Sequence, residues 1–327
     1  MDKLGVDVTW LPHDRRGMGR YVASVLDELL KETGLTLFSR ADDEAWLRAR
    51  WPSAQFHFAN WNDGALDSLD ACWFPWNRID VTPRCACVLT LHDMAAFDWP
   101  VRRPLGFLDN RKAQQRIRKA ASTAGRIMTV SEFSRERIVH HLQIPPQRID
   151  VVSEGVDLTR FCPAPSEEDG TRFVLFVGAQ DPRKNLDGLL LAWERVTDAA
   201  QLWIAGCDGP STARVRYLGE TDDARLVSLY RGCALFVMPS FYEGFGLPLL
   251  EAMACGAPVA AACAGSLPEV GGEVAAYFDP KDPDDMGRVL DQALKSPRPG
   301  GVERAREFTW ARAARQVLDA LGRRVAA

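Results

Sequence analysis

The chain has 327 residues, of which 46% are apolar, 9% aromatic and 26% charged. This is the composition of an ordinary globular protein, and it excludes a disordered chain, a fibre and a collagen-like repeat. Forty Lys plus Arg against 44 Asp plus Glu leave a net charge of −4, which argues against a nucleic-acid partner.

Single cores stop growing near roughly 250–300 residues, so the length predicts two domains with a cleft between them. Strand-like runs LGVDVTW, LTLF, QFHF, ACWF, CACVLTL, RIMTV and IDVVS alternate with helical patterns in the first half. FVLFVG, QLWIAG, RVRYLG, ALFVMP, APVAAA and AAYF do so in the second. Runs so rich in Val, Leu, Ile and Ala suit strands covered on both faces, which predicts an α/β fold of two doubly wound, Rossmann-like domains. The Pro-, Gly- and acid-rich stretch 161–172, FCPAPSEEDGTR, interrupts the periodicity. It puts the first domain at 1–165 and the second at 166–302, with a final helical segment, 303–327, followed by no strand. Only Cys207–Ala213 separate QLWIAG from RVRYLG, too few for a helical crossover; either these strands are not neighbours or a helix has been lost. The eight cysteines show no CxxC pair and no zinc-type spacing, and read as buried, reduced thiols. No apolar run reaches the roughly 18–20 residues of a membrane span, so a cytoplasmic protein is expected.

The most informative segment is SFYEGFGLPLLEAMACGAPV, 240–259. A strand ends, a Gly-containing loop follows, and Pro248 marks a helix start. Gly244, Phe245, Gly246 and Leu247 then present backbone amides at a helix N-terminus, where phosphate is attracted. Glu243 in the loop and Glu251 in the expected first turn flank that anion site as acceptors for sugar and ribose hydroxyls. FVGAQDPRKNL, 176–186, places Arg183 and Lys184 at another helix start. Cations there oppose the helix dipole, which favours a role in neutralising a diphosphate.

The first half holds weaker signals. RRGMGRY carries Gly17 and Gly19 in a strand-to-helix turn, permitting close approach of a ligand; without the third glycine of GxGxxG, a nicotinamide-dependent oxidoreductase is disfavoured. His92 and Asp93 follow CACVLTL at its carboxyl end, the edge that faces a crevice in such sheets. Trp10 and Trp76, near predicted strand ends, would line an acceptor pocket with His13, whereas His140 and His141 read as surface residues. Segment 102–126 has eight basic residues and one acidic; it reads as a solvated face, an anionic acceptor site or a patch for peripheral contact with an anionic membrane. Asp282-Pro283-Asp284 opens a helix and reads as a cap, so no metal is predicted.

Taken together, TLHD, VSEFSRERI, VVSEGVDLTRF, VGAQDPRKNL, EGFGLPLLEAMACG and SLPEVGGEVAAYFDP resemble the retaining glycosyltransferases of family 4, specifically their bacterial mannosyltransferase-like branch. The resemblance implies a GT-B fold in which the first domain binds the acceptor, the second binds the nucleotide sugar, and the final helix returns to the first. It implies that Glu243 contacts the donor sugar, Glu251 the ribose, Lys184 and the amides of Gly244–Leu247 the diphosphate, and that His92 approaches the transferred sugar. Asp93 joins the acceptor side, while Gly17, Gly19 and Arg183 join the donor side. Many members carry a phosphate-binding Arg where this chain has Ala179, a place Arg183 would fill. The implied reaction is metal-independent hexosyl transfer with no cofactor besides the nucleotide-sugar co-substrate, GDP-mannose leading, to a glycan or lipid-linked acceptor. The alternative is a non-catalytic, sugar-nucleotide-binding scaffold subunit.

Overall fold

The computed structural model describes residues 3–14, 17–58, 64–99, 106–165, 168 and 170–325. Arg15, Arg16, Trp61 and 102–105 of the basic segment lie outside them. The chain divides into two compact units, Met1–Gly155 with Trp310–Ala327, and Val156–Thr309.

The first unit winds β1 (Leu4–Asp7), α1 (Gly17–Glu32), β2 (Leu35–Ser39), α2 (Glu44–Arg50), β3 (Gln55–Phe58), β4 (Ala71–Phe74), β5 (Ala86–Thr90), α3 (Ala95–Asp98), α4 (Gly106–Thr123), β6 (Arg126–Thr129), α5 (Glu132–Leu142) and β7 (Ile149–Val151). Its seven strands are all parallel, in the order β3-β2-β1-β4-β5-β6-β7. β1 therefore lies between β2 and β4, and the winding reverses there. Such a reversal pulls successive crossovers to opposite sides and opens a crevice at the strands' carboxyl ends. Trp73, Phe74 and Tyr21 are fully buried in the core.

The second unit contains β8 (Phe173–Val177), α6 (Leu186–Trp193), β9 (Gln201–Ala205), β10 (Val215–Gly219), α7 (Asp223–Gly232), β11 (Leu235–Met238), α8 (Leu247–Ala254), β12 (Val259–Ala262), α9 (Leu267–Gly271), β13 (Ala276–Phe278), α10 (Pro283–Lys295) and α11 (Gly301–Ala305). The order β10-β9-β8-β11-β12-β13 is again wholly parallel, with the reversal between β8 and β11. β9 and β10 are neighbours joined by Gly206–Arg214 without a helix, so the lost-helix alternative holds. The loop folds directly onto β10: Ser211 Oγ accepts from Tyr217 N at 3.0 Å, and a Cβ on Gly209 would stand 2.4 Å from the Tyr217 ring.

The division falls at Gly155/Val156 rather than within 161–172, because side chains of the second unit hold the linker. Arg231 donates to the Cys162 carbonyl at 2.8 Å, and Arg160 pairs with Asp223. The expected terminal segment 303–327 is likewise split. Its first residues remain with the second unit, where Val156 N donates to Phe308 O. The helix α12 (Trp310–Val325) packs on α1, β4, β5 and β6 of the first unit, with Trp310 edge-on to Tyr21.

All eight cysteines are free thiols, but only Cys72, Cys87, Cys233 and Cys255 are buried, and Cys263 is exposed. His141, expected at the surface, is half-buried: it stacks on Phe97 and hydrogen-bonds Asp98 at 2.7 Å. Asp282 caps α10 by accepting from Asp284 N and Asp285 N. Among the described residues, no helix is long and apolar enough to cross a membrane.

Candidate active site

The carboxyl ends of β8 and β11 lie side by side where the second sheet reverses, and each carries one of the segments singled out by sequence. Lys184, from the turn after β8, donates to Glu243 Oε1, from the loop after β11, at 2.7 Å. The two side chains are 22% and 13% exposed, so the pair is shielded but open to a ligand.

Asn185 holds the Lys184 turn. It sits in the left-handed region at φ 54°, which Asn tolerates better than most residues. Its buried amide donates to Pro239 O at 3.1 Å and Pro280 O at 2.8 Å, clamping the turn to the ends of β11 and β13. Glu243 is anchored from the β12–α9 loop. Buried Ser266 donates to Phe245 O at 2.7 Å and lies 3.1 Å from Glu243 O. A Cβ on Gly265 would stand 2.9 Å from Glu243 N. Sequence reading missed Asn185 and Ser266; the only signal was the Asn between a cation pair and an apolar helix.

Gly246 caps α8 at φ 110°, a conformation that requires glycine. The helix begins at Leu247, with Pro248 in its first turn. The amides of Phe245, Gly246 and Leu247 find no protein acceptor among the described residues, which leaves them to an anion. Glu251 is the fifth residue of α8, beyond the first turn. It is 3% exposed and accepts from Tyr230 Oη at 3.2 Å, so dipole compensation does not explain it. Arg183 turns to its neighbour: Nη2 donates to Asp181 Oδ2 at 2.7 Å. Against desolvation, these hydrogen bonds hold the Asp181 carboxyl below its ordinary value. The guanidinium is paired with Asp181 in the unliganded chain, as the Lys184 ammonium is with Glu243.

In the first unit, a cavity of about 490 Å³ opens at the carboxyl ends of β1, β4 and β5, where that sheet reverses. Trp10, Met18, Trp76 and Ile117 supply its apolar wall; His13, Asp14, Asn77, Arg78, Asp93 and Arg116 supply polar groups. The sequence therefore located Trp10, His13, Trp76 and Asp93 together. Trp76 is 4% exposed and donates to Asp7 O at 2.7 Å; His13 lies 3.3 Å from Asp43. His92 lies beside the cavity without lining it, and is 6% exposed. Its Nε2 is 2.9 Å from Pro75 O, and since a carbonyl only accepts, Nε2 carries the hydrogen. Nδ1 faces Glu154 Oε1 at 3.8 Å, and Tyr21 stands edge-on to the ring. The backbone amide donates to Asn77 Oδ1 at 2.7 Å. Glu154, whose packing on His92 depends on a contact distant in sequence, was not found from sequence.

Gly17 adopts φ 32°, and a Cβ on Gly19 would stand 1.5 Å from the Asp14 carbonyl oxygen. Gly19 thus allows its own loop to close on α1, a structural requirement independent of any ligand. Behind that loop, burial pushes the Asp7 carboxyl up to about 6, opposed by hydrogen bonds from Thr9 and modulated by Asp80 and Arg78. A folded-state value raised above the unfolded one gives stability that is present at acid pH and lost as pH rises through about 6. The wild-type minus Asp7→Asn difference in unfolding free energy, measured by urea titration, is therefore expected to fall by about 2 kcal/mol from about pH 4 to pH 7. A flat difference would contradict the burial of this charge.

The group 1 glycosyl transferase family matches residues 163–315, and glycosyltransferase family 4 matches residues 1–160. The O-antigen chain mannosyltransferase B of Escherichia coli is 31% identical over 265 residues, covering 71% of this chain and 69% of that protein. The MMP alpha-(1->4)-mannosyltransferase of Mycolicibacterium hassiacum is 32% identical over 242 residues, covering 67% of this chain but only 57% of the relative. Among solved structures, Anabaena Alr3699/HepE in complex with UDP shares the fold, with a TM-score of 0.76 at 15% identity over 99% of this chain and 100% of that one.

Proposed function

The chain belongs to glycosyltransferase family 4, in its bacterial mannosyltransferase-like branch with the GT-B fold, and from this premise we propose that it is a retaining, metal-independent hexosyltransferase. The donor is GDP-mannose, and the acceptor is a glycan or lipid-linked saccharide of cell-envelope polysaccharide synthesis. The reading rests above all on the Lys184–Glu243 pair beside the unpartnered amides of Phe245–Leu247. The names of the two mannosyltransferase relatives support the choice of sugar.

Mechanism follows from charge. As the bond between the sugar and the diphosphate breaks, negative charge grows on the leaving oxygen, and donors fixed in advance at that oxygen lower the barrier. Lys184 and the α8 amides are such donors; Glu243 faces sugar hydroxyls, and Glu251 the ribose. The acceptor hydroxyl attacks from the leaving-group side. The new glycosidic bond forms as the old one breaks, and the hydroxyl proton passes to the departing phosphate oxygen. Calorimetric titration with GDP, UDP, ADP, CDP and dTDP in EDTA is the direct test. GDP is expected to bind tightest; failure of every nucleotide would overturn the metal-free donor site and favour the scaffold alternative.

The proposed contact with the anionic inner face of a membrane falls to the exposed Arg111, Lys112, Arg116 and Lys119 of α4. Arg118 is engaged with His141 O, and Arg126 with Asp150. Sedimentation with phosphatidylglycerol vesicles should be strong at low salt and lost at high salt. No binding at low salt would remove this part of the proposal.

A further inference from the structure

Two side chains at the cavity of the first unit have one polar atom fixed by the backbone and the other left over. Asn77 follows β4 with φ 56°, and its N–H donates to Thr90 O at 3.1 Å. Its Oδ1 accepts from the His92 amide at 2.7 Å. A backbone amide only donates, so this bond fixes which end of the Asn77 side chain is oxygen and leaves Nδ2 as the other. Asp93 is held in the same way, its Oδ1 accepting from Ala95 N at 2.9 Å. Both residues line the cavity. Among the described residues, Asn77 Nδ2 and Asp93 Oδ2 have no hydrogen-bond partner, and neither is sealed from solvent. The left-handed backbone of Gln143 and of Asn185 serves a helix end, whereas Asn77 lies outside every helix. Backbone strain that no helix end explains is a pointer to a ligand site.

We infer that Asn77 and Asp93 form a donor–acceptor pair that reads the hydroxyls of an uncharged saccharide in this cavity. The inference rests on the acceptor side of the proposed function and names both the substrate class and the residues that select it. A sugar hydroxyl donates and accepts, so an amide NH₂ and a carboxylate oxygen presented together match the hydroxyls of one ring. Because the other atom of each side chain is already held, little rotamer freedom is lost when the sugar arrives. The absence of charge on the ligand follows from the lining, where Arg78 and Arg116 are matched by Asp14 and Asp93. Arg78 is further engaged by Asp80, its Nη2 donating to Oδ1 at 2.9 Å, and Arg116 is exposed. The cavity volume of about 490 Å³ lies within the roughly 300–1,000 Å³ of small-molecule sites.

The test is ligand-observed NMR titration of the full chain with methyl α-mannoside, methyl α-glucoside and methyl α-galactoside. At least one of them should bind in the millimolar range, and an excess of inorganic phosphate should not displace it. Asn77→Asp keeps the acceptor for the His92 amide and removes the donor; Asp93→Asn keeps the acceptor for the Ala95 amide and puts a donor in place of the free oxygen. Each should weaken binding roughly tenfold while the urea midpoint and GDP affinity stay as in the wild type. If one variant proves less stable, the other carries the test. Asn77→Asp/Asp93→Asn reinstates one donor and one acceptor in exchanged places and should regain most of the loss, which a merely structural role would not produce. The inference is overturned if no glycoside binds, if the single variants bind like the wild type, if the double variant stays as weak as they are, or if phosphate competes. Binding lost in Glu243→Gln but kept in the Asn77 and Asp93 variants would put the sugar in the second unit and also overturn it. GDP titration of the wild type is read separately, so failure of the donor reading is distinguishable from failure of this one.

Discussion

Lys184→Ala is expected to lower kcat/KM for glycosyl transfer by about two to three orders of magnitude, the cost of removing one fixed donor from a developing oxyanion. The ammonium is a side-chain cation at the reversal of the second sheet, and its partner, Glu243, is itself a proposed sugar contact. A diphosphate drawn into this site would therefore meet a cation held in advance rather than one gathered from solvent. Removing Lys184 also leaves a carboxylate that is 13% exposed without its counter-charge, so part of any loss could come from repulsion of the phosphate by Glu243. Lys184→Ala/Glu243→Gln separates the two effects. If the double variant regains GDP affinity but turns over more slowly than Glu243→Gln alone, Lys184 acts in the transition state; if it matches Glu243→Gln alone, the lysine only neutralises Glu243. Turnover unchanged in Lys184→Ala would refute the donor site.

Asn185→Ala is expected to destabilise the second unit by about 2–5 kcal/mol, through two buried carbonyls left without a donor and a non-glycine side chain in the left-handed region. Both carbonyls, of Pro239 and Pro280, belong to buried residues, so water does not readily replace the amide. Urea unfolding measures the loss. Asn185→Asp provides the decisive comparison, since it keeps the shape but cannot donate when ionised. It should cost at least as much as Ala if the hydrogen bonds matter, and little if only the backbone conformation does. Because the Asn185 amide ties the Lys184 turn to β11, GDP affinity should fall in both variants while they remain folded.

Much of this arrangement was legible in the sequence. Apolar runs such as ACWF and FVLFV are buried on both faces in the parallel sheets, as continuous hydrophobicity requires. The EGFGLP segment announced its own cap, because positive φ at Gly246 and proline in the first turn are local requirements. Glu251 was read within the first turn and lies one residue beyond it, since a helix start is uncertain by a residue or two. Gly19 met a nearer partner, the Asp14 carbonyl, and Arg183 pairs with Asp181, because a sequence motif does not show what its own loop brings together.

The order of hydrophobic runs, their spacing and their punctuation thus determined two doubly wound sheets and the loops that carry Lys184, Glu243 and the amides of Gly244–Leu247, since these depend on local periodicity and backbone preference. Tertiary structure alone decided the pairings. Lys184 with Glu243, Asn185 with Pro239 and Pro280, His92 with Glu154, and Arg116 at a cavity with Trp10 join residues far apart in the chain. They meet because winding reverses between β1 and β4 and between β8 and β11, and strand order is set by the packing of the whole sheet rather than by any one segment.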